Sequence, residues 1–131
     1  GKIGDIVIDV WEGEPEINLE LLEAAFIATP HIAGYSSEGK FNATKIVLQQ
    51  FADFSGYKEE LPITPLPSPE RKITSTENIA SVLLSIYNPA VDCEALKKAP
   101  RLFEELRNNY NFRREPSAYG IDTNMGGSIE L

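Results

Sequence analysis

Three ionisable side chains near the start of the chain could share one reaction: Asp9, Glu14 and His31. His31 is the sole histidine and follows Pro30 in a loop after the apolar run Phe26-Ile27-Ala28. Imidazole titrates near neutrality, so in a cleft it can take or return a proton. Ligands of open α/β sheets bind at the carboxyl ends of strands, where this loop would lie. Taken alone, the plainer reading of His31 is a loop histidine with a structural hydrogen bond. Asp9 interrupts the strand-like Asp5-Ile6-Val7-Ile8-Asp9-Val10. A carboxylate buried there is costly unless hydrogen-bonded, so Asp9 reads equally as a structural aspartate satisfied by backbone. Glu14 alone reads as a solvated carboxylate in the turn Glu12-Gly13-Glu14-Pro15. The three gain meaning together, because a carboxylate beside an imidazole orients the ring and stabilises its charged form.

The elements that must position them follow from pattern. Ile6 to Val10 predicts a strand buried on both faces. Asn18 caps a short helix from Leu19 to Ala25, with Leu19, Leu22 and Ala25 or Phe26 on one face. Phe26 to Ala28 predicts a second strand, ended by Pro30 and its missing N–H. Strand, helix, strand, loop is the alternation of an α/β domain. Ser36 or Ser37 caps a longer helix to about Phe54, with Phe41, Thr44, Val47, Leu48, Phe51 and Phe54 forming an apolar stripe and Gly56 ending it.

Composition then changes. Pro62, Pro65, Pro67 and Pro69 exclude a helix, and residues 57–70 read as a linker between two domains, 1–56 and 71–131. Beyond it the expectations are a short strand at Arg71-Lys72-Ile73 and a helix capped by Thr76 from Glu77 to Tyr87. A helix capped by Asp92 to Lys98, a helix from Arg101 to Tyr110 opened by Pro100, and a strand from Ala118 to Ile121 follow. Gly126-Gly127 reads as a loose tail. A domain of this size is marginal alone, and packing against a second subunit would relieve that.

The 131 residues carry a net charge of −8, which argues against nucleic-acid or anionic-membrane partners and suits a cytoplasmic protein. No apolar run approaches the roughly 20 residues that cross a bilayer. One cysteine, Cys93, and one histidine exclude a disulfide and a thiolate-rich or multi-histidine metal site. Cys93 reads as a buried helix residue. The chain has no initiator methionine and runs straight into a strand, so it reads as part of a longer protein.

Asp9-Val10-Trp11-Glu12-Gly13-Glu14-Pro15, followed after a short helix by Thr29-Pro30-His31-Ile32-Ala33-Gly34, resembles the final catalytic stretch of D-2-hydroxyacid dehydrogenases. The run to Lys40 and Leu106-Arg107-Asn108-Asn109-Tyr110-Asn111-Phe112-Arg113-Arg114-Glu115 are similar to the members of that family that carry an extra C-terminal domain. The resemblance implies the end of a Rossmann-like NAD-binding domain and a long helix, then a small α+β domain forming a homodimer. It implies that His31 takes the hydroxyl proton of a phosphorylated hydroxy acid, that Glu14 orients His31, and that Asp9 meets the nicotinamide carboxamide. Gly34 would let backbone approach NAD, and Tyr35 would touch substrate or pack at the helix start. Arg113 and Arg114 are candidates for the substrate's anionic groups, or for ion pairs. The family also needs a glycine-rich phosphate loop and a carbonyl-polarising arginine. No G-x-G-x-x-G occurs here, so this stretch is expected to be inactive by itself. Two alternatives stay open: a different dehydrogenase of the family with an unrelated tail, and a non-catalytic dimerisation module.

Overall fold

The computed structural model describes residues 4–59, 61–69 and 78–119. Its described elements form a small α/β structure with two parallel strands and five helices: β1 (Val7–Ile8), α1 (Leu19–Ala24), β2 (Ile27–Ala28), α2 (Ser37–Ser55), α3 (Ile79–Ile86), α4 (Pro89–Lys98) and α5 (Phe103–Asn108). The chain packs as two compact units. Among the described residues, one holds 4–35 and 87–112, and the other holds 36–59, 61–69, 78–86 and 113–119. The units therefore interleave in sequence, and the stretch carrying α4 and α5 packs with the first strands.

In the first unit β1 and β2 pair in parallel, Val7 opposite Ile27 and Ile8 opposite Ala28. Asn18 caps α1 through the Leu21 N–H, as expected. Leu22 and Ala25 are buried, whereas Leu19 and Phe26 stay exposed. The core joins Trp11, Ile17, Leu22, Ala25 and Ala28 to Cys93, Leu96 and Phe103. Cys93 is thus a packing residue of α4, and its sulfur also accepts the Ala28 N–H at 3.3 Å. Lys97, one turn on, donates to the Ala25 carbonyl at 2.7 Å and covers the end of α1. The five-residue strand expected from Ile6 to Val10 is a two-residue ladder, and it is not buried on both faces. Val7 and Val10 are 72% and 61% exposed, because β2 is its only strand neighbour among the described residues.

The segment from Tyr87 corrects two expectations. Asn88, not Asp92, caps α4: its side chain accepts the Ala90 N–H, and Pro89 fills the first turn, where no N–H is needed. Pro100 opens a 3₁₀ turn, Pro100–Leu102, before α5, in place of one continuous helix.

In the second unit Ser36 caps α2 through the Gly39 N–H at 2.9 Å, and Gly56 ends it in the left-handed region at φ 71°. The expected apolar stripe exists as a face but is uncovered by described residues: Val47, Phe51 and Phe54 are exposed and only Ala52 is buried. Residues 61–69 contain no helix or strand, in keeping with their prolines. Pro116–Tyr119 form a 3₁₀ turn where a strand was expected from Ala118. The strand at 71–73, the Thr76 cap and the tail at 126–127 lie outside the described residues. Among the described residues no single helix is long and apolar enough to cross a membrane.

Candidate active site

The turn after β1 builds the first half of the site. Gly13 adopts φ 78°, a conformation open to glycine at little cost, and the chain reverses there. The reversal brings the Glu14 carboxylate back onto the Trp11 backbone, whose N–H donates to Oε1 at 2.8 Å. Trp11 is held in turn: its ring is buried in the core, and its indole N–H donates to the Thr29 carbonyl at 2.9 Å. One tryptophan thereby ties the turn carrying Glu14 to the loop carrying His31.

That loop is built around Asp9. Its Oδ1 accepts the Thr29 hydroxyl at 2.6 Å and the Ile32 N–H at 2.8 Å, and Oδ2 accepts the Ala33 N–H at 3.1 Å. Its backbone carbonyl takes the His31 N–H at 2.9 Å. These bonds hold His31 at φ 56°, the left-handed region that a β-carbon disfavours. Such backbone conformations cost about 1–3 kcal/mol and persist only where surroundings impose them. The geometry thus displays Asp9 as the organiser of the loop.

The result is a direct contact: His31 Nδ1 lies 2.8 Å from Glu14 Oε2. The Glu14 side chain is 18% exposed and that of His31 39%. Burial pushes the Glu14 carboxyl up, but the hydrogen bonds from His31 and the Trp11 N–H and the charges of His31 and Arg107 outweigh it, leaving it below its ordinary value. An anionic Glu14 fixes the orientation of the ring through Nδ1. With Nδ1 engaged, Nε2 is the nitrogen left to exchange a proton with a ligand.

Tyr35, four residues on, packs edge-on against Tyr110 and Phe112, with centroids 6.1 and 5.5 Å apart. The Arg107 guanidinium lies 5.8 Å from the Tyr35 ring centroid. A Cβ built on Gly34 meets nothing within 4 Å, so no packing among the described residues demands glycine there. Arg113 and Arg114 belong to the second unit. Arg114 donates to Glu38 at 2.5 Å, and the Arg113 carbonyl accepts the Ser37 N–H. Sequence reasoning missed two participants, Trp11 and Arg107. Trp11 being the sole tryptophan, beside a charged turn, was the available signal; Arg107 stood only within the family-like run from Leu106 to Glu115. An open groove of ≈ 330 Å³ between Pro15–Leu19 and Pro100–Arg101 includes none of the three ionisable residues.

No protein-family model matches the chain. Curated relatives do. A protein of Bacteroides fragilis named erythronate-4-phosphate dehydrogenase is 50% identical over 121 residues, covering 92% of this chain and 34% of the relative. Its namesake in Bacteroides thetaiotaomicron is likewise 50% identical over 121 residues, and the one in Shigella dysenteriae is 41% identical over 128. The chain spans about a third of the length of the curated relatives it matches.

Proposed function

We propose that this chain is the C-terminal portion of an erythronate-4-phosphate dehydrogenase, a D-2-hydroxyacid dehydrogenase that converts 4-phospho-D-erythronate into the corresponding 2-oxo acid on the route to pyridoxal 5′-phosphate. The observation that carries the reading is the 2.8 Å contact between His31 Nδ1 and Glu14 Oε2 on loops that Asp9 and Trp11 hold. His31 accepts the hydroxyl proton of C2 as the carbonyl forms. Glu14, held anionic, keeps the ring oriented and stabilises the imidazolium that results.

NAD, when bound, supplies the hydride acceptor. The residues present fit its nicotinamide end. A carboxylate offers about four acceptor positions. Asp9 uses two on Oδ1 and one on Oδ2, which leaves Oδ2 an acceptor position for a carboxamide N–H. Gly34 leaves open space where a side chain would project. Tyr35 then contacts substrate. The phosphate cradle and the carbonyl-polarising arginine come from the remainder of the whole enzyme, so the chain alone is inactive. In this reading the whole protein is cytoplasmic, and residues 71–131, beyond the 57–70 linker, contribute a homodimer contact.

The test uses the full-length protein with phosphorylated and unphosphorylated 2-hydroxy acids, following NADH absorbance. Wild type should prefer the phosphorylated substrate, and His31→Gln should lower kcat by roughly 10²–10⁴-fold. Turnover that survives His31→Gln undiminished refutes the assignment.

A further inference from the structure

Arg107 is one of 12 lysines and arginines in a chain with 20 acidic residues. It sits in the last turn of α5, and its Nε is buried with no hydrogen-bond partner among the described residues. A buried guanidinium N–H left without a hydrogen bond carries a desolvation cost. Arg114 shows the contrast, since Glu38 already occupies its Nε.

We propose that Arg107 binds an anionic oxygen of the substrate, from its carboxylate or its phosphate, beside His31. The inference rests on the function proposed above. Three observations place the guanidinium there. It lies over the Tyr35 ring at 5.8 Å, a distance at which the ring face attracts a cation. Tyr35 is part of the His31 loop, its N–H donating to the Ile32 carbonyl at 2.9 Å, and Tyr110 and Phe112 brace its ring edge-on. Arg107 is also among the charges acting on Glu14, the partner of His31. The aromatic bracing limits where the guanidinium can go. Its planar fork matches the paired oxygens of a carboxylate or phosphate, which a lysine ammonium cannot engage in the same way.

The experiment compares wild-type, Arg107→Ala and Arg107→Lys full-length enzyme on 4-phosphoerythronate and erythronate, with inorganic phosphate as a competing anion. The expected result is a KM for the phosphorylated substrate raised by on the order of 10–100-fold in Arg107→Ala, with partial recovery in Arg107→Lys. A loss confined to the phosphorylated substrate, with weaker inhibition by inorganic phosphate, assigns the oxygen to the phosphate. An equal loss on both substrates assigns it to the carboxylate. An unchanged KM on both overturns the proposal. Should Arg107→Ala not fold, Arg107→Lys decides by the same KM comparison. If wild type oxidises neither acid, the functional reading fails separately. Calorimetric titration of inorganic phosphate into wild type and Arg107→Lys then tests Arg107: binding weakened in the variant supports an anion site, and equal binding, or none to wild type, refutes it.

Discussion

Glu14 holds His31 with one carboxylate oxygen and the Trp11 backbone with the other, each at 2.8 Å. The second bond gives the first its value. A glutamate on a flexible side chain would sample many rotamers. Here Oε1 is pinned to a residue that is itself buried, so Oε2 is presented to the imidazole without further ordering cost.

Glu14→Gln in the full-length enzyme separates charge from geometry. The amide can still accept the Trp11 N–H and contact His31, but it no longer stabilises the imidazolium. We expect kcat to fall by about 10²-fold, with KM little changed and thermal unfolding shifted only slightly. An unchanged kcat would mean that Glu14 positions nothing of catalytic consequence.

The core of the first unit gives a second prediction. Phe103 is fully buried, while Phe54 on α2 is 91% exposed. Phe103→Ala should cost about 3–5 kcal/mol in urea unfolding of the chain. Phe54→Ala should stay within about 0.5 kcal/mol. Comparable losses at both positions would mean that the α2 face is covered in solution.

That contrast marks what was legible in sequence. Signals confined to a few neighbouring residues read correctly: the Asn18 and Ser36 caps and the Gly56 stop. The cap of α4 went to Asp92 because Asn and Asp cap about equally well. Only Pro89 at the first turn distinguishes Asn88. The long-range partners were not readable. Nothing local in Cys93 or Leu96 says that α4 covers β2, since that contact joins residues 65 apart in sequence. The α2 stripe shows the converse, because periodicity reveals an apolar face without revealing what covers it. Asp9 was half legible. Its cost in an apolar strand predicted a hydrogen-bonded carboxylate, but not that one side chain would hold three donors of the His31 loop.

Acid should loosen the start of α2. Burial pushes the Glu38 carboxyl up, but the Glu115 backbone N–H and the Arg114 guanidinium more than offset this, so it titrates below its ordinary 4.5. The unfolded chain therefore binds a proton at Glu38 before the folded chain does. The stabilisation is complete above about pH 4.5 and is lost as pH falls from there through the folded value. Glu14 titrates in the same direction and gives the first unit an acid dependence of its own. Glu38→Gln should be less stable than wild type at neutral pH, and the difference should shrink on acidification. Urea unfolding at neutral pH and well below pH 4.5 measures this. A wild-type advantage that persists undiminished in acid would show that the Glu38 carboxylate does not depend on its contacts with Arg114 and Glu115.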